Sequence, residues 1–299
     1  MMRKKFSYPT KNSSPVSRGP RGSHGHLLPV SGKTIRFLRE ALKEDIGAGD
    51  VTSNLLIPLR ARGTARVIAK EKGIFCGQRL VRELFRIADP RVKLEFCVCN
   101  GHRIRRGQTV FKMHGNIRSI LKVERTMVNF IGHLSGIATK TRAFVDKVKK
   151  YPALILDTRK TMPVWRELEK LAVQVGGARN HRQGLDEFIF IKENHRVHGD
   201  LRKLRLRPGN FEIEVRSLGE LWEAIGFKPK VILLDNFNPK AAKRAVKIVR
   251  KEAPGVIVEA SGGITIDNVR RFAAAGVDTI SVGSLTHSVK AVDFSLLVD

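Results

Sequence analysis

The sequence predicts an α/β protein, a parallel barrel of strands and helices preceded by a smaller sheet. From residue 153 onward, short apolar strands alternate with helical stretches: ALILDT, WRELEKLAVQVG, FIFIK, FEIEV, SLGELWEAIG, VILLDN, AAKRAVKIVRKEA, GVIVEASGG, DNVRRFAAAG and DTISVGS. Strands joined through helices pair in parallel. This many units in so short a stretch point to a barrel, with a doubly wound sheet left open by periodicity alone. Between 60 and 115, TARVIAKEKGIFCG and KLEFCVCNGHRIRRGQTVFKMHG alternate and are broken by glycines, which reads as hairpins of a small sheet. At 299 residues and 42% apolar composition the chain can bury one large core or two moderate ones.

Residues 1 to 30 hold six Lys or Arg and no Asp or Glu among many Ser, Gly and Pro. Such a segment has too little apolar surface to offset the entropy of ordering, so a disordered basic tail is expected. Structure is expected from Ser31: in TIRFLREALKEDIG, Ile35, Leu38 and Leu42 fall at helical spacing and Gly47 is the stop. IRSILKVERTMVNFIGHLSG (117 to 136) reads as a helix. A second one to about 150, carrying Ile137, Phe144, Val145 and Val148, leads into the barrel.

No apolar run reaches the ~18 residues of a membrane helix, and the first 30 residues lack the apolar stretch of a secretory signal, so a cytoplasmic protein is expected. Cys76, Cys97 and Cys99 are the three cysteines. In KLEFCVC the last two would share one face of a strand, and without further ligands at metal spacing they read as reduced, packed side chains. The net charge of +28 favours polyanions, anionic surfaces or anionic small substrates. The basic residues are spread along the chain without aromatic interleaving or a DNA-reading motif, which argues against a nucleic-acid partner.

The polar residues of the second half gather where predicted strands end, the face on which a barrel carries its active site. ALILDT exits through Thr158 into Arg159 and Lys160; GGARNHR brings His181 and Arg182; FIFIK delivers Lys192. Each alone would pass as a solvated loop charge, but together they form a pocket for a polyanion, with arginine forks suited to carboxylates and phosphates. Glu214 in FEIEV and Asp235 in VILLDN lie at the same level. Buried acids need a partner, either a neighbouring cation or a Mg²⁺ that carries pyrophosphate oxygens. EASGGIT places Ser261, Gly262 and Gly263 after a strand and just before a helix, and DTISVGS repeats this with Gly283. Glycines there let backbone N–H groups approach a phosphate.

In order, EDIGAGDVTS, ERTMVNFIGHLSGIAT, DTRKTMP, GGARNHRQGLDEFIFIKENH, EIEV with LLDN, EASGGI and SVGSLTHS resemble the quinolinate phosphoribosyltransferase family over roughly residues 31 to 299. The resemblance implies an incomplete parallel α/β barrel packed with a smaller α/β open-sandwich domain. The sandwich would comprise 31–135 and 287–299, the barrel 136–286. It implies a homodimer or dimer-based oligomer that joins quinolinate to phosphoribosyl pyrophosphate with Mg²⁺, releasing pyrophosphate and carbon dioxide. Carried over by motif, Thr158, Arg159, His181, Arg182 and Lys192 would bind quinolinate, with Arg125 entering from the partner subunit. Lys160 would face the pyrophosphate, Glu214 and Asp235 would serve the ribose and Mg²⁺, and Ser261, Gly262, Gly263, Gly283 and His287 would hold the 5′-phosphate. By the same resemblance, Lys160, Lys192, Glu214 and Asp235 would form the catalytic set.

Two departures stand out. Met162, Pro163 and Val164 replace the family's Thr-Pro-Gly, and Ala178-Arg179 replaces its third glycine before NHR. A related phosphoribosyltransferase or pyrophosphorylase with another acceptor is the nearest alternative. A basic nucleic-acid-associated protein built on an inherited enzyme scaffold is the more distant one.

Overall fold

The computed structural model describes residues 30–299, and the expected disordered tail falls outside them. The described chain runs α1 (Gly32–Ile46), α2 (Val51–Leu56), β1 (Arg62–Ala69), β2 (Gly73–Ile74), α3 (Gln78–Ala88), β3 (Lys93–Phe96), β4 (Arg103–Ile104), β5 (Thr109–Asn116) and α4 (Ile117–Val148). It continues through β6 (Leu154–Leu156), α5 (Arg166–Gly176), β7 (Ile189–Ile191), α6 (Glu193–His198), a 3₁₀ turn (Leu201–Leu206), β8 (Phe211–Val215), α7 (Leu218–Gly226) and β9 (Val231–Asp235). Last come α8 (Pro239–Glu252), β10 (Ile257–Ser261), α9 (Val269–Ala274), β11 (Thr279–Ser281), α10 (Ser284–His287) and β12 (Phe294–Val298). The chain forms two compact units.

One unit comprises the described residues up to Arg142, with Pro163–Gly177 and Ser288–Asp299. Its antiparallel sheet runs β12-β1-β5-β3, and β2 pairs with β4. The predicted first helix is α1. Ser31 caps it by accepting the Thr34 N–H, Leu38 and Leu42 are buried, and Gly47 closes it at φ 53°. Two helices were not anticipated. In α2, Asp50 accepts the Ser53 N–H, and in α3 Leu80, Val81, Leu84 and Phe85 make a buried stripe at helical spacing.

Two expectations are corrected. The two helices predicted between 117 and 150 are one, α4. Its Gly132 and Gly136 do not break it; they admit the backbone of the segment leading into β12, because a Cβ at Gly136 would collide with the Lys290 carbonyl oxygen. Of the cysteines only Cys76 is packed. β3 ends at Phe96, and the continuing alternation turns Val98 inward, leaving Cys97 and Cys99 on a shared, exposed face. Residues 163–177 cluster with the antiparallel-sheet unit.

The other unit comprises Ala143–Met162 and Ala178–His287. Its six parallel strands run β6-β11-β10-β9-β8-β7. β7 to β11 lie side by side in chain order, and β6, first in the chain, pairs with β11. A doubly wound sheet would place an early strand in the middle and reverse direction there. Winding one way until the first strand meets the last is the barrel's connectivity, left open between β6 and β7. The strands form because they bury almost everything: all five residues of β8 and the first four of β9 are buried.

Val164, where the family pattern has glycine, sits at φ 62°, in the left-handed region. That conformation costs a residue with a Cβ roughly 1–2 kcal/mol, and β-branching adds to it. Glycine's greater unfolded-state freedom offsets about 0.5–1 kcal/mol. Val164→Gly is therefore expected to raise stability by about 1 kcal/mol, read as a higher urea midpoint; an unchanged or lower midpoint refutes the strain.

Candidate active site

At the carboxyl ends of the parallel strands lies a cavity of about 680 Å³ to which all six strands contribute. Thr158, Arg159 and Lys160 follow β6, and His181 and Arg182 stand on the irregular loop before β7. Lys192 follows β7, Glu214 lies on β8, Asp235 ends β9, Ser261, Gly262 and Gly263 end β10, and Gly283 and His287 follow β11. Every site residue expected from the barrel half lines this one cavity. Arg125 belongs to the other unit, exposed on α4.

The cationic wall is built without enough acid to neutralise it. Arg159 Nη1 is buried and has no hydrogen-bond partner, a deficit that an arriving anion would relieve. Burial, and then the neighbouring Arg159 charge, pulls the Arg182 guanidinium below its usual range. The Arg182 guanidinium lies 4.8 Å from the centre of the Phe190 ring, and its Nη1 donates to the Phe188 carbonyl at 3.4 Å. Lys192 Nζ is 4.9 Å from the same ring and 3.5 Å from Glu214 Oε2.

The opposing acids are crowded too. Burial pushes the Glu214 carboxyl above the usual carboxylate range, Lys192 opposes this, and the nearby Asp235 charge adds to it. Asp235 is oriented by Asn236, whose Nδ2 donates to Asp235 Oδ2 at 2.9 Å. Two repelling carboxylates on the wall of a pocket with phosphate-sized glycine turns suit Mg²⁺, which takes one or two protein carboxylates and completes its shell with substrate phosphates.

Gly262 and Gly263 adopt φ 84° and 60°, and a Cβ on Gly262 would strike the Asn236 side chain. The expected helix does not follow directly. α9 starts at Val269, because Thr265 and Asn268 close a reciprocal turn first, Asn268 Oδ1 accepting the Thr265 N–H at 2.9 Å. After β11 the arrangement is as expected: α10 begins at Ser284, directly after Gly283. A Cβ on Gly283 would lie 3.1 Å from Lys160 Cδ and 3.2 Å from His287 Cδ2, close enough to press both side chains aside. Thr286 Oγ1 donates to the Lys160 carbonyl at 2.7 Å, tying α10 to the loop after β6.

Sequence reasoning missed two residues, Glu212 and Glu259, both fully buried behind His181. His181 Nε2 is 3.2 Å from Glu212 Oε2 and 3.8 Å from Glu259 Oε1. Their signal was an acid inside an apolar strand, in FEIEV and VIVEAS. The three groups offer ligand atoms within 4.8 Å of one another, yet they do not suit a metal. His181 Nδ1 accepts the Arg182 N–H at 2.8 Å, which leaves the ring proton on Nε2, the atom that would have to ligate.

A one-way parallel barrel gathers cations, paired acids and glycine turns at its carboxyl ends, the face on which α/β-barrel enzymes carry their active sites. Two family descriptions match the chain: "Quinolinate phosphoribosyl transferase, N-terminal domain" over residues 50–135 and "Quinolinate phosphoribosyl transferase, C-terminal domain" over 137–297. The chain belongs to the quinolinate phosphoribosyltransferase family. It is 39% identical to a probable nicotinate-nucleotide pyrophosphorylase [carboxylating] of Synechocystis, over 88% of this chain and 91% of that one. It is 37% identical to the Nicotiana tabacum quinolinate phosphoribosyltransferase [decarboxylating] 1b, over 87% and 80%. The Francisella tularensis nicotinate-nucleotide pyrophosphorylase structure superimposes with a TM-score of 0.83 at 38% identity, over 90% of this chain and 98% of that one.

Burial raises the Glu259 carboxyl from 4.5 to about 7, with Ser281 and Thr279 hydrogen bonds opposing. A raised carboxyl contributes stability that is fully present below pH 4.5 and is lost as pH climbs through about 7. The loss is about 3 kcal/mol. Glu259→Gln removes it, so the variant should gain on wild type steadily from pH 5 to pH 8 in urea denaturation. A difference that stays constant with pH contradicts the buried proton.

Proposed function

We propose that this chain is a cytoplasmic quinolinate phosphoribosyltransferase of NAD biosynthesis. It converts quinolinate and phosphoribosyl pyrophosphate to nicotinate mononucleotide, pyrophosphate and carbon dioxide. The observation that carries this is the partnerless Nη1 of Arg159 beside Arg182 in a cavity whose other walls are glycine turns and paired acids. Two arginines with Lys192 match two carboxylates on adjacent ring carbons.

Thr158, Arg159, Arg182 and Lys192 hold the dicarboxylate, and Phe190 gives its ring an apolar wall. Ser261, Gly262, Gly263, Gly283 and His287 grip the 5′-phosphate and fix the ribose, with Glu214 and Asp235 below it. The pyridine nitrogen attacks the anomeric carbon as the pyrophosphate bond breaks, and Lys160 faces the leaving group. Glu214 and Asp235 would hold Mg²⁺, which would offset charge on the pyrophosphate. Positioning and fixed charge supply most of the acceleration. Once the nitrogen is quaternised, the ring accepts the electron pair of the breaking carbon–carboxylate bond, carbon dioxide leaves, and a proton takes its place.

A dimer fits the exposed apolar stretch of Val51, Leu55, Leu56 and Leu59 on and after α2, and in it Arg125 reaches the partner's site.

The purified protein with phosphoribosyl pyrophosphate and Mg²⁺ should form nicotinate mononucleotide from quinolinate and essentially none from nicotinic acid. A single carboxylate leaves buried cations unpaired, which costs several kcal/mol, roughly a thousandfold in kcat/KM. Equal turnover of both acids rules out the dicarboxylate site.

Mixing inactive Arg125→Ala and Glu214→Gln proteins under subunit exchange gives dimers with one intact and one doubly defective site, so activity should recover to about a quarter of wild type. Recovery absent despite demonstrated exchange places Arg125 in its own chain's site.

A further inference from the structure

The loop that carries Arg182 has little regular structure: between Arg179, which bridges to Leu156, and the start of β7 no strand ladder holds it. Its anchor is His181, tied at three points. Its backbone N–H donates to Asp157 Oδ1 at 2.8 Å, its Nδ1 accepts the Arg182 N–H at 2.8 Å, and its Nε2 faces Glu212 at 3.2 Å and Glu259 at 3.8 Å. Both glutamates have no exposed surface, and Asp157 has none either. An imidazole that bound a substrate carboxylate as a cation would carry N–H on both nitrogens. The Arg182 N–H would then point at another N–H, and the bond that fixes the 181–182 peptide would be lost.

We infer that His181 is not an anion ligand but a positioning residue, through which the buried Glu212 and Glu259 aim Arg182 at the substrate carboxylate. The inference rests on the quinolinate reading for its substrate, though not for its chemistry. Glu212 Oε1 accepts the Nε2 proton at 3.4 Å, and Glu259, whose nearest oxygen is 3.8 Å away, packs beside it, so that the pair hold the ring's plane. With its remaining lone pair the ring holds the Arg182 amide, and the guanidinium leaves the backbone already directed over Phe190. Glu212 also adds to the charge balance of Arg182, opposing the loss of its proton. Orientation of this kind matters because a misplacement of about 1 Å at a binding group can cost a hundredfold in rate.

Two arms test it. In the wild-type protein labelled with ¹⁵N-histidine, the nitrogen and proton shifts of His181, assigned by its loss in His181→Asn, should report a proton on Nε2 and an acceptor lone pair on Nδ1. A proton on Nδ1 overturns the inference, whatever the protein turns over. In steady-state kinetics, His181→Ala should raise the quinolinate KM about tenfold, the worth of one well-placed hydrogen bond, with the phosphoribosyl pyrophosphate KM unmoved. His181→Asn should be several-fold less impaired, because its Oδ1 takes the place of Nδ1 in accepting the Arg182 N–H. Glu259→Ala should raise the quinolinate KM, and Glu259→Gln should restore much of it. Equal damage from Asn and Ala at 181, with no effect at 259, means that the ring itself binds the carboxylate. Absent turnover of quinolinate by wild type defeats the functional reading and leaves the spectroscopic arm to decide the tautomer.

Discussion

Two guanidinium groups held together in a cavity repel, and the second half of this chain is organised around tolerating that repulsion. Arg182 is partly desolvated beside Arg159, and an Arg159 nitrogen has no partner. The free site is therefore electrostatically unsatisfied, a cost already met by folding that an entering anion would relieve. Aromatic faces as well as acids stabilise the free state: Phe190 lies beneath both Arg182 and Lys192, softening their charge without cancelling it.

The parallel sheet explains how opposite charges can share so small a space without collapsing onto one another. Each strand delivers its own residue to the rim, and the ladders fix the spacing: Ser261 pairs with Asp235 in register, and Glu214 with Leu233. Cations gather on β6, β7 and the loop before β7, while the carboxylates stand on β8 and β9 and the glycine turns on β10 and β11. Lys192 and Glu214 approach across the division, at 3.5 Å. A dicarboxylate and a pyrophosphate ester can then each find a wall of its own.

The barrel half was legible because its strands are nearly continuous apolar runs that end in charged or glycine residues, so the rim could be read residue by residue. The first half was less so. The stripe of Leu80, Val81, Leu84 and Phe85 in α3 lay between segments already read as hairpins, and the glycines of α4 look like helix breaks until the close passage of the Lys290 backbone accounts for them. Glu212 and Glu259 escaped notice for a different reason: an acid flanked by apolar residues in a strand has the same pattern as ordinary alternation, and only three-dimensional proximity to His181 distinguishes it. The departure at Val164 was visible in the sequence, but its left-handed backbone was not. Ala178 and Arg179 turn out to extend the edge of β6, since Arg179 bridges to Leu156.

β12 pairs with β1 along its whole length, Ala65 with Val298 through Ala69 with Phe294, although all six strands of the other unit lie between them in the chain. During synthesis the parallel unit is therefore complete before the antiparallel sheet can acquire its last strand. Until then β1 presents an unpaired edge, the kind of surface that draws other nascent chains into aggregates. The unit that begins first finishes last, and its closing contact has a sequence separation that makes it slow to form. Poor recovery on overexpression, relieved by slower translation or by chaperones that shield strand edges, would be a direct consequence of this wiring.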